Sequence, residues 1–70
     1  MKKGDIFYKK HGPVIYKCHT VVLLDEEYNS QIVYKYYGKY KQWWHYEIIS
    51  LWFFENFKHT YALTKKELEK

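Results

Sequence analysis

Along Gln31 to Tyr37 the side chains fall into two interleaved sets, Ile32, Tyr34 and Tyr36 against Val33, Lys35 and Tyr37. A period of two belongs to a β-strand with one face on a core, so the first set is predicted inside, Lys35 on the solvent side and Tyr37 exposed. Similar β-branched and aromatic runs lie between short turn signals: His11-Gly12-Pro13, then Asp25-Glu26-Glu27-Tyr28-Asn29-Ser30, then Gly38-Lys39. That spacing is the signature of a small all-β meander. Strands are predicted at Asp5 to Lys9, Val14 to Leu24, Gln31 to Tyr37 and Lys41 to Glu47. The second is long enough to bend across two sheets, the way small barrels turn a corner with one strand.

From Ile48 to Asn56 the alternation stops, and the run Ser50-Leu51-Trp52-Phe53-Phe54-Glu55-Asn56 predicts one buried helical turn, with Glu55 accepting backbone N–H bonds. A last strand is predicted from Phe57 to Leu63. Thr64-Lys65-Lys66-Glu67 then has the form of a capping box, in which the Thr64 hydroxyl accepts from the Glu67 N–H and the Glu67 side chain reaches back. A single turn to Lys70 follows, anchored by Leu68 alone and fraying at its end. Five short strands with a helical turn before the last are the layout of an all-β SH3-like barrel, here a single domain over residues 1–70. The stretch Ile32-Val33-Tyr34-Lys35-Tyr36-Tyr37-Gly38, then Trp43-Trp44, then Phe53-Phe54-Glu55, resembles the second half of a short bacterial and phage SH3-like family of unknown function. In that family a Val-Val-Tyr-Arg run reaches Tyr-Gly, then Trp-Val-Arg-Pro, then Phe-x-Glu. Gly4, Gly12 and Tyr16 fall near the family's glycines and aromatic. Tyr34 to Gly38 is one residue short and no Arg-Pro follows Trp43 or Trp44, so the resemblance implies a fold and carries no activity.

Composition narrows the class. Seventy residues hold one core, and 47% apolar with 23% aromatic content is too hydrophobic for a disordered tail. The apolar runs Val21 to Leu24 and Ile48 to Phe54 fall short of the roughly 18 residues of a membrane span. No apolar signal core follows Met1-Lys2-Lys3-Gly4-Asp5, so a cytoplasmic protein is expected. The single cysteine, Cys18, rules out an internal disulfide and a multi-cysteine zinc site. Twelve basic residues against eight acids give +4, which favours anionic partners. Every one of the twelve is lysine, so the guanidinium fork that reads guanine edges is missing and sequence-specific duplex reading loses ground. A vocabulary rich in Lys, Tyr and Ile and empty of Arg also points to an AT-rich genome, that of a low-GC bacterium or its phage.

The segment Tyr34 to Tyr46 carries the most chemistry: seven aromatic residues, Tyr34, Tyr36, Tyr37, Tyr40, Trp43, Trp44 and Tyr46, among Lys35, Lys39 and Lys41, with no acid. Aromatic faces stack bases at about 1–3 kcal/mol each while lysines neutralise phosphate. Two readings stand beside each other: a core whose neighbours merely cover the sheet exterior, or a binding surface. On the predicted strand Trp43 and Trp44 point to opposite faces, so at most one can enter the core. The Cys18-His19 pair faces opposite ways and is not expected to act as a thiol nucleophile with its base. His11, His45 and His59 have no metal-site spacing, and Asp25-Glu26-Glu27 reads as a solvated turn, with Asp5, Glu47 and Glu55 as isolated acids. No Gly-rich phosphate loop or nucleophile elbow is present.

The sequence therefore predicts a binding module with no cofactor, no metal and no catalysis, whose contact surface is Tyr37, Lys39, Tyr40, Lys41, Trp44 and Tyr46. Its expected partner is nucleic acid or a nucleotide. Two other readings are a phage-type protein that blocks a host bacterial protein, and a homodimer joined through Trp44, Tyr37 or Tyr46.

Overall fold

The computed structural model describes residues 1–27 and 29–69; Tyr28 of the second turn signal and the terminal Lys70 lie outside the described residues. Five antiparallel strands form one sheet, β1 (Ile6–His11), β2 (Val14–Glu26), β3 (Asn29–Tyr37), β4 (Trp44–Ser50) and β5 (Tyr61–Ala62). Two short helices complete the chain, α1 (Leu51–Asn56) and α2 (Lys65–Leu68). The sheet order is β4-β3-β2-β1-β5, so consecutive hairpins build four strands and β5 returns to pair with β1 at Tyr8 and Lys9. The sheet stays open, with β4 and β5 as its two edges.

The first hairpin has a local cause. Gly12 at φ +59° precedes Pro13, and this pair closes β1 onto β2 with His11 opposite Val14; a left-handed glycine at the first central position is the requirement of a type II′ loop. The β2 strand runs thirteen residues and its register against β3 shifts between Thr20 and Val22, an irregularity that increases local twist. Strand β2 thus stays within the one sheet, where the sequence suggested two.

The inner face holds Phe7, Cys18, Ile32 and Tyr34, all essentially inaccessible, with Met1, Tyr16, Leu23, Tyr36, Ile49, Leu51, Phe54 and Tyr61 packed around them. Phe7 meets Tyr34 and Phe54 edge-on, each at 5.1 Å between centroids, geometry worth about 0.5–1.5 kcal/mol per pair beyond burial. The alternation foreseen in β3 is present: Ile32, Tyr34 and Tyr36 face inward and Tyr37 is exposed.

Elsewhere the elements differ from the sequence reading. Strand β4 starts at Trp44, not Lys41, because Gly38 N–H donates to the Trp43 carbonyl at 2.9 Å and closes residues 38–43 into a tight loop. It runs on to Ser50, with Ile48 and Ile49 paired to Val33 and Ile32. Trp43 consequently sits in the loop, 73% exposed, and Trp44 lies on the outer face, so neither enters the core. Helix α1 buries no residue completely: one side seats Leu51 and Phe54 on the core, while Trp52 and Phe53 face out. Its N-cap is Ser50, whose Oγ accepts from the Phe53 N–H at 3.2 Å, and the capping role expected of Glu55 falls to that hydroxyl. Phe57 stacks on Phe53 at 4.9 Å and its carbonyl accepts from the Thr60 and Tyr61 N–H groups, which coils residues 57–60 into turns and trims β5 to two residues. Thr64 caps α2 without a side-chain bond; buried Leu68 holds that turn down instead.

Candidate functional site

Alternation along β1 puts Lys9 on the same face as Phe7, and the sheet closes over it until it is 8% exposed. A lysine ammonium in that position requires a counter-charge and replacement of its lost water. Both are supplied. Its Nζ is paired with Glu47 Oε1 from β4, the same oxygen that accepts from the Tyr34 hydroxyl at 2.8 Å. Three tyrosine rings surround the ammonium, with Tyr36 4.1 Å away and Tyr34 and Tyr16 at 5.7 and 5.9 Å. Burial pulls the Lys9 pKa down, but the hydrogen bond and charge of Glu47, with Tyr36, outweigh it and leave the value raised. Burial likewise pushes Glu47 up, and the bonds from Lys9 and Tyr34 reverse it, holding the carboxyl below its ordinary range. Burial, reinforced by Glu47, raises the Tyr34 phenol.

Outward from this buried charge the inner face continues as a column of rings. Tyr16 packs on Tyr36 at 4.8 Å, and Tyr36 stacks on His45 at 5.4 Å with an interplanar angle of 24°. His45 Nε2 lies 3.2 Å from the Lys41 carbonyl. These rings, with His11, Gly38, Lys39, Tyr40 and Lys41, line an open cleft of about 310 Å³ that contains no acid.

A second concavity, about 410 Å³, is lined by the outer-face side chains Ile15, Lys17, His19, Tyr37 and Trp44 and reaches round to Val14, Tyr16 and Lys39. Trp44 is its hub: Tyr37 meets it edge-on at 5.6 Å, His19 at 5.8 Å, and Lys35 Nζ stands 4.8 Å over its ring. Tyr37 is pinned by its hydroxyl, which donates to the Gln42 carbonyl at 3.0 Å. Burial, then the charges of Lys17 and Lys35, lower the His19 pKa, so the cation density here is that of lysine.

Of the six residues picked from the sequence, Tyr37, Lys39 and Trp44 meet in the outer cleft, and Lys39, Tyr40 and Lys41 in the inner one. Lys39 is common to both. Tyr46 lines neither; it lies further along β4 on the outer face, opposite Lys35. The contact surface chosen from the sequence left out Lys9, Tyr16, Lys17, His19, Tyr36 and His45. The available signal was parity, since Lys9 lies two residues from Phe7 and Tyr16 two from Cys18.

Cys18 and His19 do face apart, the thiol into the core and the imidazole onto Trp44. Burial pushes the Cys18 thiol up to about 12. Alkylation by iodoacetamide near neutral pH should therefore be far slower than for a free thiol, and should reach the free rate only once denaturant unfolds the chain. Fast labelling of the folded protein would contradict this packing. Among the described residues no three histidine, cysteine or acidic side chains gather into a metal-binding group, and no helix is long and apolar enough to cross a membrane. No protein-family model, curated protein or solved structure matches this chain.

Proposed function

We propose that this domain is an SH3-like fold, its barrel left open between β4 and β5, acting as a non-catalytic module that binds single-stranded nucleic acid or a nucleotide through the two clefts around Lys39. The strand order and the helical turn ahead of β5 support the fold assignment. One observation carries the function: two adjoining clefts, each lined by aromatic rings and lysine, share Tyr16 and Lys39 and have no carboxylate in their lining. Stacking surfaces beside unopposed cations are the chemistry that holds bases and phosphates together, tolerant of sequence and sensitive to salt. The contact set is Tyr37, Lys39, Tyr40, Lys41 and Trp44, joined by Lys17, Tyr36 and His45. A cytoplasmic setting and a bacterial or phage origin belong to the same reading, supported by the lone free thiol and the arginine-free composition.

Titration of a short single-stranded oligonucleotide against tryptophan fluorescence tests it. With Lys17, Lys39 and Lys41 each meeting one phosphate, log K should fall against log salt with a slope of about −2. Lys39→Ala should make that slope shallower by about 0.7, and Trp44→Ala should cost about 1–3 kcal/mol at any salt. Absence of binding, or binding indifferent to salt, would remove the proposal.

A second reading, a phage-type protein that occupies and blocks a host protein, is supported by Trp52, Phe53 and Phe57. These three rings pack on one another, at 4.9 to 6.0 Å, on the solvent side of α1. Exposed aromatic clusters are common anchors of protein interfaces. A nuclease-resistant complex lost in Trp52→Ala and kept in Trp44→Ala would favour it.

A further inference from the structure

The two edges of the sheet are unlike. Edge strand β5 is two residues long, whereas β4 presents seven, and among the described residues no strand pairs with its outer side. Proteins normally guard such an edge with lysine, proline or a bulge. The β4 segment Trp-His-Tyr-Glu-Ile-Ile-Ser has no lysine and no proline, and its one carboxylate, Glu47, is neutralised by Lys9 of the same chain and so presents no uncompensated charge to a second strand. Its outer face instead carries Trp44, Tyr46 and Ile48, with Tyr46 63% and Ile48 54% exposed.

We propose that this edge pairs with the same edge of a second copy, antiparallel, with Tyr46 opposite Tyr46 across a two-fold axis. The argument is the self-complementarity of β4 about Tyr46. In that register Trp44 stands opposite Ile48 of the second copy on the outer face, and His45 opposite its Glu47 on the inner face. The flanking registers fail: centring on Glu47 sets carboxylate against carboxylate, and centring on His45 places Ile48 opposite Gln42, outside the strand. Like charges directly opposite destabilise a strand pair, while aromatic with aromatic and aromatic with β-branched side chains stabilise it. Pairing would make one continuous ten-stranded sheet with an isologous seam, the commonest symmetry of soluble assemblies. A contact of one short strand lies at the small end of protein interfaces, so the dimer should dissociate on dilution.

Sedimentation over a dilution series, together with cysteine cross-linking, tests the proposal. The wild type should show a concentration-dependent monomer and dimer. Tyr46→Lys sets two ammonium groups against each other at the axis and should raise the dissociation constant roughly tenfold or more, with an unchanged circular dichroism spectrum because the side chain lies outside the core. Tyr46→Cys should form a disulfide dimer on mild oxidation, since position 46 meets its own copy. Trp44→Cys alone should not, but mixed with Ile48→Cys it should give the heterodimer. A wild type that stays monomeric throughout, a Tyr46→Lys variant that dimerises undiminished, or oxidation no faster at position 46 than at position 44 would each overturn the proposal. In the first case the edge would be left for a strand of some other protein.

Discussion

Replacing Glu47 by alanine is expected to destabilise the fold by about 2–3 kcal/mol, because it leaves the Lys9 ammonium buried without its counter-charge. A fully enclosed pair would lose roughly 3–5 kcal/mol; the smaller figure reflects the 42% exposure of the Glu47 side chain, which lets water replace part of what it supplies. Lys9→Met in the same chain should recover much of the loss, since a methionine of similar length fills the space between Tyr16, Tyr34 and Tyr36 without a charge. Denaturant midpoints of the two single variants and the double variant measure this. The pH dependence has a determined sign. Despite the burial that opposes it, the Glu47 carboxyl is held below its ordinary range, so its contribution is present above that range and lost as pH falls through the depressed value. Lys9, raised despite its burial, contributes below the ordinary lysine range and loses that contribution as pH rises through the higher value. The wild-type advantage over Glu47→Ala should be level through neutral pH and shrink at both ends. Equal midpoints for the wild type and Glu47→Ala would refute the role given to the pair.

The second large effect falls on Gly38. A Cβ there would stand 2.5 Å from His45 Nε2 and still nearer the Lys41 carbonyl, and a backbone oxygen cannot swing aside as a long side chain can. Gly38→Ala should therefore cost about 1–3 kcal/mol through overpacking, a fall in melting temperature of roughly 4–8 °C for each kcal/mol in a domain of this size. It should also weaken the proposed nucleic-acid binding, because the displaced loop carries Lys39, Tyr40 and Lys41. Thermal melts and the oligonucleotide titration read the two effects separately. Full stability in the alanine variant would mean that residues 38–43 are not closed as described.

These two sites also show what the sequence could and could not convey. The faces of β3 were legible because its alternation is a local property, and the Gly12-Pro13 hairpin because glycine and proline set their own dihedral angles. The start of β4 was not legible, since Lys41-Gln42-Trp43-Trp44 looks like strand whichever way the Gly38 N–H is bonded. The backbone bond from Gly38 to Trp43 decides it. Lys9 was hidden for another reason: in Tyr8-Lys9-Lys10 a lysine reads as solvent-facing, and its burial depends on a carboxylate on a strand far along the chain. The residues picked from the sequence divide between two clefts, with Tyr46 in neither, because Tyr37 and Trp44 alternate to the outer face while Tyr36 and His45 alternate to the inner one.

That division bears on ligand length. The two clefts meet at Tyr16 and Lys39, so under the proposed nucleotide-binding role a mononucleotide would occupy one at a time, whereas an oligonucleotide long enough to turn over the lysine would occupy both. Binding in the second cleft would then be intramolecular, governed by an effective concentration set by the reach of the intervening phosphates instead of by the bulk ligand. Chains on either side of that threshold length would differ in avidity by more than one added stacked base can supply.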